Sequence, residues 1–464
     1  MRSSDSFMKH RCLSGAVGIV VALGCLATGA PAWAQKSDAG QLAEEYRSVL
    51  MPPGFRIEKT ELDGPVFADP EGRTIYKWPL IQQRSGQAGE VKGAINCYGE
   101  KATVTTGNMS PYPPGLLLPD LANRPACTDL WKPVPVADGA EEIGEWTILQ
   151  RKDGLRQWAY QEQALYTSVR DRGPGDVISG GTRRSDGLDS PAFRMPIQPP
   201  PQIPPGFDIK TTVNGRLLVT DKGFSVYTYK KDTAQKAACD GPCLRDWQPV
   251  LAPLGVNARG NWTLLQRAPG VRQWVFHGKP LYTYKKDSDT WSVRGGDVPD
   301  WSNVYTQLAP PPPSEFTVQD TLQGQVLADA KGKTVYVYKC TDDAADQLSC
   351  DFPGDTLVYR NAVCGGGSRS ACLELWPYVQ ASADAKNTSK TWTVEYIDPM
   401  TGAYAKAGDA GALRVWAYLG RPLYTYARDK RPGDVFGDGE GEARGRRNGH
   451  KAFWLRDDYF SNTL

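Results

Sequence analysis

Along this chain, apolar and polar residues alternate with period two over short stretches closed by glycine, proline or aspartate. Phe224-Ser-Val-Tyr227-Thr-Tyr229 follows Asp221-Lys-Gly223, and Leu281-Tyr282-Thr-Tyr284 follows His277-Gly278-Lys-Pro280. Side chains two apart share one face of a strand, so this alternation between turn residues is the mark of short β-strands. Trp146-Thr-Ile-Leu-Gln150 and Trp262-Thr-Leu-Leu-Gln266 read as further strands, and Ala417–Tyr426 reads as a hairpin around Gly420. The pattern predicts roughly six to eight short strands per unit and little helix. Such strands are buried in a small two-sheet sandwich or a small barrel, so the expected fold class is all-β.

The pattern recurs three times. Pro53-Gly54-Phe55 returns as Pro205-Gly206-Phe207, with a weaker copy at Phe316, and a tyrosine follows each phenylalanine after 21, 20 and 20 residues at Tyr76, Tyr227 and Tyr336. Cys127, Cys243 and Cys372 each precede a tryptophan by four residues, at Trp131, Trp247 and Trp376. Trp146, Trp262 and Trp392 come next, then Arg156-Gln-Trp158, Arg272-Gln-Trp274 and Arg414-Val-Trp416, then Tyr166, Tyr282 and Tyr424. Fixed spacing over three blocks is the signature of a repeat architecture. The expected organisation is three tandem β-rich repeats, residues 50–195, 205–309 and 314–464, joined by Pro-rich linkers at 196–204 and 310–313. Such proline runs adopt extended geometry and read as semi-rigid spacers.

The first 34 residues stand apart. Arg2, Lys9 and Arg11 precede an apolar run from Leu13 to Ala27, and Ala32-Trp-Ala34 supplies a small-x-small site. That is a secretory signal peptide, with cleavage expected after Ala34. The competing reading anchors lipid at Cys25, but Ala22 stands where a lipoprotein signal prefers leucine. No later stretch is long and apolar enough to span a membrane, so no transmembrane span is expected in the mature chain. Of 54 Lys+Arg and 52 Asp+Glu in the whole chain, 51 of each remain beyond residue 34. A balanced charge offers no broad footprint for nucleic acid. Location is expected to be periplasmic or secreted, in the cell envelope.

Three segments share one motif: Tyr227-Thr-Tyr229-Lys-Lys-Asp232, Tyr282-Thr-Tyr284-Lys-Lys-Asp287 and Tyr424-Thr-Tyr426-Ala-Arg-Asp429. With Cys-x-x-x-Trp and the Gly-x-Pro-Leu-Tyr turn, they resemble the bacterial secreted-repeat family of unknown function, described as predicted lipoproteins with a Tyr-x-aromatic-x-x-Asp motif. The resemblance implies an exported β-rich protein and no particular activity. It is strongest in the second repeat. In the first, Tyr76-Lys-Trp78 has no Asp three residues on and Tyr166-Thr-Ser168 lacks the second aromatic. In the third, Tyr336-Val-Tyr338 runs into Cys340 and Thr341.

Eight cysteines lie beyond the signal segment: Cys97, Cys127, Cys239, Cys243, Cys340, Cys350, Cys364 and Cys372. An even number in an exported chain suggests disulfides. Repeats one and two hold two each, which gives Cys97–Cys127 and Cys239–Cys243. Register then pairs Cys350 with Cys372 in the third repeat and leaves Cys340–Cys364. A bridge closing a loop of about 30 residues stabilises by roughly 3–4 kcal/mol in the chain-entropy model. The competing reading is a metal- or redox-handling site at Cys239 and Cys243 with His277, a spacing that suits soft metals. Only two histidines beyond the signal, His277 and His450, argue against a typical metal centre, and no cofactor is expected.

No catalytic constellation is legible. A Gly-x-Ser-x-Gly elbow and a Cys-x-x-Cys-His haem site are absent from the sequence. Asp232, Asp287 and Asp429 sit near turns, where aspartate commonly bonds its own backbone. Asp434, Asp438, Glu440 and Glu442 lack the spacing of a calcium loop. The expectation is a non-catalytic envelope protein, a binding or structural module. An exposed Tyr-x-Tyr face would take a glycan or an envelope protein as partner, whereas a buried one is core.

Overall fold

In a computed structural model of the chain, the residues described are 44–78, 92–95, 97–99, 126–178, 195–290, 292–339, 369–440 and 449–456. The fold is all-β with tandem repeats, and Ser37–Leu464 form one compact unit.

Repeat 1 contains strands β1 (Arg56–Lys59), β2 (Pro65–Ala68) and β3 (Ile75–Lys77), helix α1 (Cys127–Leu130), then β4 (Trp131–Pro133), β5 (Trp146–Gln150), β6 (Arg156–Tyr160), β7 (Gln163–Ala164), β8 (Tyr166–Ser168) and β9 (Met195–Pro196). They form a β1-β2 hairpin, a β5-β6-β7 sheet and a central sheet in the order β4-β8-β3-β9. Repeat 2 follows with β10 (Phe207–Thr212), β11 (Gly215–Thr220), β12 (Tyr227–Tyr229), β13 (Trp247–Pro249), β14 (Trp262–Ala268), β15 (Val271–Phe276), β16 (Lys279–Pro280), β17 (Tyr282–Tyr284), β18 (Trp301–Asn303) and β19 (Tyr305–Leu308). Its central sheet, β13-β17-β12-β18, keeps the order seen in repeat 1. Repeat 3 has β20 (Thr317–Asp320), β21 (Gln325–Ala328), β22 (Tyr336–Lys339), helix α2 (Arg369–Leu375), β23 (Trp392–Ile397), β24 (Leu413–Tyr418), β25 (Arg421–Tyr424) and β26 (Gly449–Ala452). Here β23-β24-β25-β22-β26 run as one sheet, and the counterpart of β4 and β13 shrinks to a bridge between Tyr378 and Tyr424.

Each repeat is itself double. In repeat 2 the hairpin β10-β11 leads to β12, and the hairpin β14-β15 leads to β17, so two similar halves meet at an approximate dyad. The meeting point is the antiparallel pair Tyr227↔Tyr282, and the same pair recurs as Tyr76↔Tyr166 and Tyr336↔Tyr424. All six hydroxyl-bearing rings are buried, as the inward positions of a half-buried strand must be.

The proline segments are docked against the fold. Pro196 pairs with Tyr76 at the sheet edge, Ile197 exchanges backbone hydrogen bonds with Phe67 and Ile75, and the Pro200 carbonyl accepts from the Arg47 amide at 2.9 Å. Proline lacks an N–H but keeps its acceptor, which suits an edge strand. The hairpin tryptophans grip the chain entering their repeats: Trp146 Nε1 donates to the Leu50 carbonyl at 3.1 Å and Trp392 Nε1 to that of Pro310 at 3.3 Å.

Side chains also join the repeats. Glu44 and Arg216 form a buried two-pronged ion pair between the segment entering repeat 1 and β11 of repeat 2. Arg172–Glu395 at 2.7 Å and Lys390–Asp176 at 2.9 Å link repeats 1 and 3, and Arg456–Asp297 at 3.1 Å links repeats 3 and 2.

Candidate functional site

The motif residues converge on the dyad of each repeat, where they clasp its two halves together. The Tyr227 hydroxyl donates to Asp287 Oδ2 at 2.6 Å, although the two lie 60 residues apart. Tyr76 reaches Asp171 at 2.7 Å and Tyr336 reaches Asp429 at 2.6 Å in the same way. The other carboxylate oxygen anchors the following turn: Asp171 accepts from the Ile178 amide and Asp429 from the Phe436 amide, each at 3.0 Å, and Asp287 from Ser292 Oγ at 3.1 Å. The tyrosine oxygen accepts in turn from Gly295 N–H at 3.3 Å or Gly437 N–H at 3.2 Å. Only glycine fits there, because a Cβ at Gly437 would lie 2.6 Å from the Trp376 ring and 2.9 Å from Tyr336.

Dyad symmetry predicts a mirror clasp from Tyr282 to Asp232. It is looser: Asp232 Oδ1 is taken by the Ala238 amide at 2.6 Å, and Tyr282 and Asp232 interact without the short hydrogen bond of the first clasp. Repeats 1 and 3 lack the mirror aspartate altogether, since Ile81 and Thr341 stand in its place. Their long cysteine-bearing insertions begin at those points.

Burial dominates the electrostatics of the clasp. It pushes the Asp171 carboxyl up to about 8, although the Tyr76 hydroxyl and the Ile178 amide pull it back. Asp429, likewise buried and pulled back by Tyr336 and Phe436, rises to about 6. Burial followed by the partner aspartate raises Tyr76 and Tyr227 far above the usual phenol range.

Beside each clasp lies an aromatic layer over the disulfide end. In repeat 2, Tyr229, Trp301, Trp247 and Tyr284 stack in series at 4.7, 3.4 and 4.6 Å between ring centres. The two tryptophans are dyad mates. Lys231 and Lys286 cap the stack at 5.7 and 5.9 Å. In repeat 3, His450 takes the place of Trp301 and lies flat on Trp376 at 3.4 Å, and burial lowers its basicity strongly.

Cys97 is bonded to Cys127 and Cys239 to Cys243. Cys372 is also disulfide-bonded, while Cys340, Cys350 and Cys364 lie outside the described residues, and with them the pairings expected for repeat 3. Each second cysteine sits in a short helical element: α1, the 3-10 turn Gly241–Arg245, or α2. These turns carry no signal in a pattern that predicts little helix, because a single turn is shorter than the window in which helical periodicity shows. Arginine secures the first cysteine in repeats 1 and 2. Arg267 donates to the Cys239 carbonyl at 2.9 Å and to Gln273 Oε1 at 2.8 Å, and Arg151 does the same with Cys97 and Gln157. At the corresponding places repeat 3 has Ile397 and Val415, both fully buried.

That swap is a natural double substitution. Arg267→Ile alone should destabilise by about 1–3 kcal/mol by stranding the buried Gln273 amide. Adding Gln273→Val should return most of the loss in urea unfolding. A double variant as unstable as the sum of the singles would show that the pair does more than satisfy itself.

The competing metal reading meets a different geometry. The two sulfurs are bonded to each other, and His277 lies on the β15–β16 turn, its ring 4.3 Å from Phe276 in a separate apolar cluster from Cys239. Among the described residues no group of three or more His, Cys, Asp or Glu is placed to hold a metal ion. Asp434 and Asp438 are engaged locally: Asp434 accepts the Lys430 and Arg431 amides, and Asp438 the Ala452 amide and Trp454 Nε1. Glu442 lies outside the described residues.

Repeat 3 also has an open groove of about 410 Å3. Phe316, Tyr378 and Trp416 form its apolar wall, and Glu315, Asp329, Lys331, Lys333, Gln380 and Thr425 are polar residues along it. Tyr378 stacks on Tyr424 at 5.0 Å and stands two residues after the layer tryptophan, where repeats 1 and 2 have Pro133 and Pro249. Sequence reading passed over Tyr378. The break from proline to tyrosine at one register position was the available signal.

Compared with known families, residues 208–251 and 408–445 match the model of a secreted repeat of unknown function. The resemblance carried by the Tyr-x-aromatic-x-x-Asp motifs is borne out at these two stretches. One match covers the first half of repeat 2 and the other the second half of repeat 3, so the matched unit corresponds to the half-repeat. No curated protein and no solved structure matches the chain.

Proposed function

We propose, from the premise that the chain carries secreted-repeat units, that it is a non-catalytic binding module of the cell envelope, with the groove of repeat 3 as its ligand site and an envelope glycan as ligand. Export through the segment 1–34 and residence in the periplasm or beyond belong to this reading. The observation that carries it is the division of labour among the residues. The motif tyrosines and aspartates are spent inside the fold, each carboxylate already holding a hydroxyl or a backbone amide, so they are not gathered in an open cleft for acid–base work. The groove offers polar groups to fix a sugar's orientation, Lys331 and Gln380 among them, above the edges of the buried rings of Phe316, Tyr378 and Trp416.

The test is calorimetric titration of the purified chain with solubilised cell-wall oligosaccharides. Saturable binding is expected, weakened about tenfold or more by Lys331→Ala with Gln380→Ala, a loss of about 1.4 kcal/mol or more. Binding unchanged in that double variant, or no saturation with any oligosaccharide, would sink the glycan reading. Saturation by a peptide alone would move the assignment to an envelope protein.

A further inference from the structure

In repeat 1 the hairpin tip Thr60–Gly64 and the turn Gly175–Ile178 form one face, and that face is docked. Leu62, only 2% exposed, lines a small space together with Lys390, Thr391 and Leu419 of repeat 3. Polar contacts frame it: Lys390–Asp176, Arg172–Glu395, and the Thr391 hydroxyl donating to Glu61 at 3.0 Å. This interface defines a donor, the hairpin tip with its neighbouring turn. It also defines an acceptor, the residues just before the hairpin tryptophan together with the next β-turn.

Repeat 3 builds the same donor from the same parts. Its tip closes as Thr321 Oγ1 donates to the Gly324 carbonyl at 2.7 Å, as Thr60 does to Gly64 at 2.7 Å. Gly433-Asp434-Val435-Phe436 repeats Gly175-Asp176-Val177-Ile178, and Gly433 lies over the Asp320 carbonyl as Gly175 lies over that of Lys59. Lys430 takes the position of Arg172. Yet Leu322 is fully exposed at 108% and Phe436 is 65% exposed.

The acceptors can be accounted for one by one. That of repeat 3 holds repeat 1. That of repeat 2 is filled by the entering chain, where Asn261 donates to Glu45 at 2.8 Å and Glu45 and His277 line one narrow space. Among the described residues, that of repeat 1 holds no other repeat: the Gly93 amide donates to the Glu162 carbonyl at 2.8 Å, while Glu145, Gln161 and Glu162 are exposed and Leu50, 65% exposed, lies beside Gly144. The donor of repeat 2 is engaged, with Val213 buried at 8% in the core cluster of repeat 3 and Asn214 bonded to the Leu455 carbonyl. Among the described residues, one donor and one acceptor remain. Their charges complement each other, Lys430 and Arg431 beside the donor against Glu145 and Glu162 at the acceptor.

We infer that repeat 3 of one chain docks through Leu322 and Phe436 onto the Leu50–Glu145 acceptor of repeat 1 in a second copy. The contact is head-to-tail, so it extends into rings or filaments instead of stopping at a symmetric dimer.

Sedimentation velocity of the signal-free chain over a range of concentrations tests this. The mass should rise with concentration. Leu322→Asp, which blocks the donor, and Leu50→Asp, which blocks the acceptor, should each stay monomeric, and their equimolar mixture should form a dimer and nothing larger. Both substitutions are at exposed positions, and an unchanged thermal melt confirms that the variants fold. A wild-type chain that remains monomeric throughout, a Leu322→Asp chain that associates like wild type, or a mixture of the two variants that stays monomeric would each overturn the inference.

Discussion

Glu44→Ala should destabilise the protein by about 3–5 kcal/mol, a loss typical of breaking one partner of a buried ion pair. The side chains of Glu44 and Arg216 are 3% and 6% exposed. Arg216 Nε and Nη2 donate to the two carboxylate oxygens at 2.9 and 3.0 Å, Thr306 adds a third donor to Glu44, and Arg216 Nη1 donates to Thr211. Burial pulls the guanidinium towards neutrality, but the Glu44 charge and hydrogen bond outweigh it and leave Arg216 more basic than usual. Arginine cannot shed its proton in a protein, so without Glu44 a full charge stays in the interior. The loss should fall on the junction of repeats 1 and 2, where the Gln307 side chain also donates to the Thr60 carbonyl at 2.8 Å. Glu44→Leu combined with Arg216→Met should restore most of the stability, because well-packed apolar groups replace a buried pair with little penalty. Calorimetric melts of the three proteins separate the cases. A single-variant loss below about 1 kcal/mol would mean that water reaches the pair.

The three repeats and their tyrosines were legible because spacing survives where identity does not. The partnership of those tyrosines was not. Asp287 follows Tyr282 by five residues and reads as the end of its own strand, but its hydroxyl partner is Tyr227 of the other half. Sequence distance hides such a crossing, and only the dyad reveals it. The same dyad explains the departures at Ile81 and Thr341, which delete the mirror clasp and leave Tyr76–Asp171 and Tyr336–Asp429 standing. Of the two readings of the Tyr-x-Tyr face, exposed for a partner or buried as core, the structure follows the second for the first tyrosine, and the second tyrosine joins the aromatic layer. Glu44 gave no signal, since it precedes the first repeated residue and its partner lies in another repeat. Proline-rich segments read as spacers because composition reports extended geometry and says nothing of the sheet edge that captures it.

Between about pH 6.5 and pH 8 the protein should lose stability as the pH rises, the reverse of the usual carboxylate effect. An unfolded aspartate titrates near 3.9, whereas burial holds the folded Asp171 near 8. In that window the native state keeps a proton that the unfolded state has given up. The stabilisation from Asp171 is therefore complete below about pH 4 and lost as the pH passes through about 8, with a limiting slope of about 1.4 kcal/mol per pH unit. Asp429, held near 6, contributes in the same direction at lower pH. His450 works against both from the acid side. Its buried ring stays neutral when folded, so below about pH 6.5 the unfolded chain gains a proton that the native state refuses. The window above 6.5 thus isolates Asp171, whose charged neighbours are Asp176, which raises it, and Lys390, which lowers it. Asp171→Asn removes the titrating proton and keeps a carbonyl acceptor for the Tyr76 hydroxyl, but it turns an NH2 donor towards the Ile178 amide. It should flatten the pH dependence of urea unfolding in that range, with a pH-independent loss of about 1–3 kcal/mol for the unpaired Ile178 amide. An unchanged slope in Asp171→Asn would mean that the carboxylate is solvated and ionised at neutral pH, and that the two halves of repeat 1 are closed by an ordinary charge-assisted hydrogen bond.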